Sequence, residues 1–162
     1  MRNLTFICAL FVLALPGAAL AHSGAPGDGT LLIRHGIGKV TITAKGGVIG
    51  HFGDGVLTVR DPNPDDNIYE VVTGADRSHN VNDFVTKYWG RDIRFRYIGG
   101  RFTITVVGND IDLSAIGRGT VALVGKGTAD DGTYSVNGLV PQPFPGPFFP
   151  TTLQLSASTT TG

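Results

Sequence analysis

The sequence is poor in cysteine and in charge. Its single cysteine, Cys8, lies within the first 21 residues, and charged residues make up only 16% of the chain. We expect those 21 residues to be removed, so the mature protein has no thiol for a disulfide, a metal site or a catalytic nucleophile. Removal of Arg2 leaves 12 of the 13 basic residues against 13 acidic ones. This balance predicts neither nucleic acid nor an anionic membrane as a partner.

Motifs of the common catalytic sites are also missing. The chain contains no Gly-x-Ser-x-Gly, no His-Glu-x-x-His and no Gly-x-x-x-x-Gly-Lys, and Glu70 is its only glutamate. The first two patterns place a serine nucleophile or a zinc ion, and the third holds phosphates. Their absence favours a protein that is not an enzyme and needs no cofactor.

The N-terminus has the pattern of a secretory signal peptide. Arg2 gives a basic start, residues 4–15 are apolar, and Ala19-Leu20-Ala21 supplies the small residues of a cleavage site. The apolar run is too short to span a bilayer. The sequence therefore predicts a signal peptide at 1–21 and a secreted, extracytoplasmic mature chain, with no transmembrane segment in it.

Glycine and alternating apolar residues dominate what remains. The chain has 24 glycines, and apolar side chains recur at every second position from Leu31 onward, for example at Ile93, Phe95 and Tyr97. This period is typical of half-buried strands. Gly-Gly at 46–47 and 99–100, Gly108-Asn109 and Asp131-Gly132 are predicted as turns between them.

The pattern predicts an all-β fold. We expect a single glycine-rich antiparallel domain of about nine to eleven short strands, arranged as a β-sandwich or a barrel-like sheet. A short β-solenoid or β-roll is the alternative, because glycine and β-branched residues recur along the whole chain.

The chain divides into a lead, a body and a tail. Residues 22–30 are small and polar, which predicts a flexible lead before an all-β domain at 31–140. Residues 141–162 begin with a proline-rich connector, whose phenylalanines Phe144, Phe148 and Phe149 are expected to pack on the domain. An edge strand is predicted within 151–157, before a fraying end.

Two segments leave alternatives open. Residues 81–89 read as a strand that ends at Gly90, with a short helix as the second reading. Residues 38–44 also resemble 100–106, and residues 53–59 resemble 117–123, at offsets of 62 and 64. Either a β unit of residues 31–60 is repeated at 92–124, or glycine-rich strands look alike.

An acidic loop is the first candidate site. Asp61, Asn63 and Asp65 have the alternating oxygen spacing that begins many calcium loops. However, Asp66 and Val72 stand where such a loop needs glycine and glutamate, and prolines interrupt it. Calcium is the one ion the sequence suggests; a solvated acidic turn is the alternative.

A cluster of arginines and aromatics is the second candidate site. Trp89, Arg94 and Arg96 lie close together in the sequence, and such a face could bind acidic sugars or phosphate. The alternative is an ordinary solvent face, on which the arginines pair with Asp92, Asp110 and Asp112.

The sequence therefore predicts a secreted or envelope-associated, non-catalytic β-rich module with a structural or adhesive role. The alternative is an extracellular module that binds a ligand, either a glycan or one held with the help of calcium. A cell-envelope component or a glycan is the partner that either role implies.

Overall fold

The protein is all-β, as the sequence predicts. The computed structural model describes residues 27–63, 69–128 and 130–157, and within these ranges there is no helix, hence none that could cross a membrane. The strands are β1 (Gly29–Arg60), β2 (Tyr69–Asn82), β3 (Val85–Gly125), β4 (Thr133–Val136), β5 (Gln142–Pro143) and β6 (Thr151–Leu155). They form one antiparallel sheet in the order β2-β3-β1-β4-β5, with β6 paired to β3, and the sheet is not closed into a barrel.

Two of the strands are far longer than expected. β1 has 32 residues and β3 has 41, so the prediction of nine to eleven short strands is wrong. The glycines at 46–47, 99–100 and 108 lie inside these strands, where the chain bends instead of reversing. Glycine without a side chain permits a sharp bend as readily as a hairpin turn, so the local sequence does not distinguish the two.

β3 runs along both edges of β1. Ile42 of β1, for example, pairs with Ile104 on one side and with Val121 on the other. The bends divide the sheet into two halves. Half A contains residues 29–33, 47–51, 69–73, 94–98, 112–116 and 133–136, and half B contains residues 39–45, 55–60, 77–80, 86–89, 101–107, 119–124 and 151–155.

One face of both halves supplies a single core. Ile104 and Leu123 are buried as their alternation predicts, with 1% and 0% of their surface exposed. The rings of Tyr97 in half A and Phe102 in half B have centroids 4.9 Å apart, which joins the two halves. The opposite face of the sheet is left for solvent or a ligand.

The pairing of β1 with β3 has an approximate two-fold symmetry. Ile42 pairs with Val121, and the residues 62 positions away from each, Ile104 and Val59, also pair. Gly46–Gly117 and Gly55–Gly108 are related in the same way. The internal resemblance of the sequence therefore has a counterpart in the fold, at an offset of 62 residues.

The remaining segments differ in how well they were predicted. Residues 81–89 contain no helix; they include the end of β2, a turn at 83–84 and the start of β3, which does not end at Gly90.

The predicted edge strand within 151–157 is β6. Phe144 is buried as expected, but Phe148 and Phe149 are 87% and 79% exposed, so the packing predicted for them is wrong. β1 begins at Gly29, two residues before the predicted start of the domain.

Candidate ligand-binding site

The solvent face of half A carries a row of polar side chains. Arg94 lies between Thr73 and His51 on the neighbouring strands, and His51 lies between Arg94 and Asp112. Arg34 extends the row, since its Nη1 atom is 3.7 Å from Oδ1 of Asp112. These residues lie at positions that alternate with buried ones, so their side chains point away from the core.

A second row, one step along the strands, is mainly aliphatic. Arg96 lies between Val71 and Ile49, and Ser114 lies between Ile49 and Leu32. Ile49 is 54% exposed, Val71 41% and Leu32 37%. The three aliphatic side chains alternate across the row with Arg96 and Ser114, so this part of the face combines exposed apolar surface with one cation and one hydroxyl.

The two rows form the floor of an open cavity of about 600 Å³. This volume lies within the usual range for sites that bind small molecules, about 300–1,000 Å³. We call this surface the arginine face. Its outward-pointing residues are Leu32, Arg34, Ile49, His51, Val71, Thr73, Arg94, Arg96, Asp112 and Ser114.

Arg94 and Arg96 have no acidic partner among the described residues. The three aspartates expected to pair with them are engaged elsewhere. Asp112 contacts Arg34 at 3.7 Å, Asp110 contacts His35 at 2.8 Å, and Asp92 contacts His51 at 3.7 Å. The predicted pairing of these two arginines with Asp92, Asp110 and Asp112 is therefore wrong, although both arginines are exposed as a solvent face requires.

Trp89 lies apart from the two arginines with which the sequence grouped it. It belongs to half B, where it pairs with Val56 and Arg77, and it does not line the cavity. The guanidinium carbon of Arg77 is 4.9 Å from the centre of the Trp89 ring, which is a cation–π distance. The bend at Gly90 separates this tryptophan from half A.

The acidic loop is described only in part. Asp61 and Asn63 are described, and the backbone N–H of Asn63 donates to Oδ1 of Asp61 at 2.8 Å, which is an Asx turn. Asp65 lies outside the described residues, so the calcium site stays a prediction.

The structure also brings together three side chains of the types that ligate metals, which the sequence analysis does not predict. His35, Asp110 and Asp112 each have a donor atom within 4.8 Å of the others. A hydrogen bond to Asp110, followed by the charges of Asp112 and Asp110, raises the pKa of His35. His35 is 75 residues from Asp110 in the sequence, so only the register of β1 against β3 brings them together. No spacing rule could have found them.

Comparison of this chain with known protein families, proteins and structures finds no relative. No family model, no curated protein and no solved structure matches it.

Proposed function

We propose that this protein is an exported, non-catalytic binding module whose arginine face holds a ligand with a carboxylate, sulfate or phosphate group. The observation that carries the proposal is the pair of arginines without acidic partners, Arg94 and Arg96, on the floor of a cavity. A guanidinium offers a planar fork of donors that fits these anions.

The geometry favours one ligand held by both arginines. Arg94 and Arg96 are two residues apart on one strand, so their side chains point to the same side and start about 6.6 Å apart. Arg96 is exposed, and its register neighbours Ile49 and Val71 offer an anion bound there an apolar surface on both sides. A ligand that covers these side chains would exclude water from the guanidinium when bound, and a charge-assisted hydrogen bond is stronger where water is excluded.

A structural or adhesive role is the second candidate, and a different surface favours it. Phe148 and Phe149 are adjacent and exposed, in a loop that the buried Phe144 and the hydrogen bond from Gly125 N–H to the carbonyl of Pro145 hold to the body. Large exposed apolar side chains are enriched where proteins contact partners. Under this role Phe148→Ser/Phe149→Ser would reduce adhesion to cells and leave anion binding unchanged.

The test of anion binding uses the mature chain, residues 22–162, and a pair of polymers that differ only in charge. Dextran sulfate should bind and neutral dextran should not, in calorimetric titration at low salt. Arg94→Ala/Arg96→Ala should weaken dextran sulfate binding by about tenfold or more, since hydrogen bonds to charged groups contribute about 1.5–3 kcal/mol each.

The control removes the same charge elsewhere. Arg91 and Arg101 are exposed and do not line the cavity, so Arg91→Ala/Arg101→Ala should change the affinity less than about threefold. Equal losses in the two double variants would mean that binding follows net charge alone, and the proposed site would be wrong. Circular dichroism and melting curves verify that both variants are folded.

A further inference from the structure

The arginine face changes character along the strand direction. The first row contains Arg34, His51, Arg94 and Asp112, and the second combines Arg96 with aliphatic side chains. A third row follows beyond the cavity, where Ile98 and Ile116 flank Gly47. Each step between rows is two residues, about 6.6 Å. Over about 13 Å, the side chains therefore change from polar in the first row, through a mixed second row, to aliphatic in the third.

Gly47 leaves a trough in the third row. It pairs with Ile98 on one side and Ile116 on the other, and Ile98 is 48% exposed. A Cβ atom at Gly47 would lie 3.6 Å from its nearest neighbour, the carbonyl oxygen of Tyr97, which is an ordinary contact. The position therefore has room for a side chain and lacks one, so the space between the two isoleucines is open.

This arrangement matches one kind of ligand. A sugar chain laid over Ile49, Ile98 and Ile116 would find no hydrogen-bonding side chain among these three residues. An aliphatic chain on the same surface removes apolar area from water on both sides. The positive charges of Arg94 in the first row and Arg96 in the second favour an anionic head on that ligand.

We infer that the ligand of the arginine face is a monomeric anionic amphiphile, with its acid group on Arg94 and Arg96 and its aliphatic chain along Ile49 into the trough at Gly47. This inference rests on the proposed function, because it takes anion binding by the two arginines as given. It specifies the rest of the ligand.

The experiment compares three probes on the mature chain. Decanoate, below its aggregation concentration, has both the acid and the chain; acetate has only the acid, and decanol has only the chain. We expect decanoate to bind at least tenfold more tightly than either of the others. Affinity should rise with chain length from butanoate to decanoate, and Arg94→Ala/Arg96→Ala should remove decanoate binding.

A substitution in the trough tests the position of the chain. Gly47→Val should abolish the rise of affinity with chain length, because its methyl groups fill the space between Ile98 and Ile116. Thr120→Val, a substitution on the outer face of half B, should keep that rise. A Gly47→Val protein that is folded and still shows it would overturn the placement of the chain.

Other outcomes separate the inference from the proposed function. Dextran sulfate binding that depends on Arg94 and Arg96, with decanoate no better than acetate, would refute the amphiphile and leave the anion site standing. Failure of both probes would refute both. Sedimentation with phosphatidylglycerol vesicles, without binding of monomeric decanoate, would mean that the face contacts a membrane surface and would also overturn the inference.

Discussion

Gly46 and Gly117 lie opposite each other in the register of β1 and β3, and neither position has room for a side chain. A Cβ atom on Gly46 would lie 2.1 Å from the carbonyl oxygen of Ile116, and one on Gly117 would lie 2.2 Å from that of Lys45. Both glycines also have positive φ, +155° and +148°. The close approach of β1 and β3 at this bend therefore depends on glycine in both strands.

Gly46→Ala should destabilise the fold strongly. The new methyl group meets backbone, which cannot move aside as a side chain can, and we expect a loss of about 2–4 kcal/mol in the free energy of unfolding. Gly47→Ala is the matched control, because its Cβ has an ordinary 3.6 Å contact. It should change stability by less than about 1 kcal/mol, measured by urea denaturation. Similar values for the two variants would show that the bend tolerates a side chain.

The core register can be tested at neighbouring positions of β3. Ile104→Ala and Leu123→Ala should each lose about 2–4 kcal/mol, since both side chains are buried and would leave cavities. Thr103 points outward, where its hydroxyl lies 3.1 Å from that of Thr43. Thr103→Ala should lose only about 0.5–1 kcal/mol. If it proves the most damaging of the three, the register is displaced by one residue.

Asp131 should anchor the loop before β4. Its carboxylate is buried and accepts hydrogen bonds from the backbone N–H of Gly127 and the hydroxyl of Thr128. Asp131→Asn replaces one accepting oxygen by a donor, so we expect the free energy of unfolding to fall by about 1–3 kcal/mol at pH 7. Asp130→Asn, at the exposed neighbouring residue, should stay within about 0.5 kcal/mol.

The effect of Asp131 should also depend on pH. Burial acts to raise its pKa, but the hydrogen bonds from Thr128 and from backbone N–H groups outweigh burial and lower it. A carboxyl with a lowered pKa in the folded state stabilises above its unfolded pKa, about 3.9. The difference in the free energy of unfolding between wild type and Asp131→Asn should therefore shrink as the pH falls below about 4. A difference that stays constant down to pH 2 would contradict this account.

Glu70 should show the opposite pH dependence. Burial raises its pKa, and the hydroxyl of Tyr88, which donates to its carboxylate at 2.8 Å, offsets this only in part. A raised pKa means that the ionised carboxylate opposes folding, and this opposition grows as the pH rises through the folded pKa. Glu70→Gln keeps an acceptor for Tyr88, so at pH 7 it should stabilise by about 0.5 kcal/mol, a small value because solvent screens the half-exposed group. The gain should vanish near pH 3, and thermal melts at both pH values measure it.

Tyr88→Phe tests the same hydrogen bond from its donor side. It removes the hydroxyl and leaves the Glu70 carboxylate without its donor, so it should destabilise more at pH 7 than at pH 3. Loss of stability in Glu70→Gln at pH 7 would mean that the charge itself contributes favourably.

Local alternation predicts which side chains of this protein are buried. Ile93, Phe95 and Tyr97 are all buried as expected, because a strand places every second side chain on one face whatever its partner. The lengths of the strands were not predictable in the same way. A glycine pair is compatible with a turn or with a bend, and only its distant partner, such as Gly117 for Gly46, decides between them.

The arginine face shows the same division between local and distant information. The outward direction of Arg94 and Arg96 follows from their positions between buried residues. Which aspartate contacts which cation depends on the strand register, which is set by residues distant in the sequence. In this register Asp112 contacts Arg34. The apolar neighbours Ile49 and Val71 come from other strands, so the sequence near residue 94 contains no signal for them.

The double pairing of β1 also constrains how the chain can fold. The nearest residue pair between β1 and β3, Arg60 with Val85, is 25 positions apart, and the farthest, Gly29 with Gly117, is 88 apart. β1 therefore has no β3 partner on either edge until the chain from residue 85 onward is available. Sheets built from such distant contacts fold slowly and expose unpaired strand edges meanwhile. Until β3 has formed, both edges of the 32-residue strand β1 can pair with other chains. We therefore expect this protein to be more prone to aggregation during folding than after it.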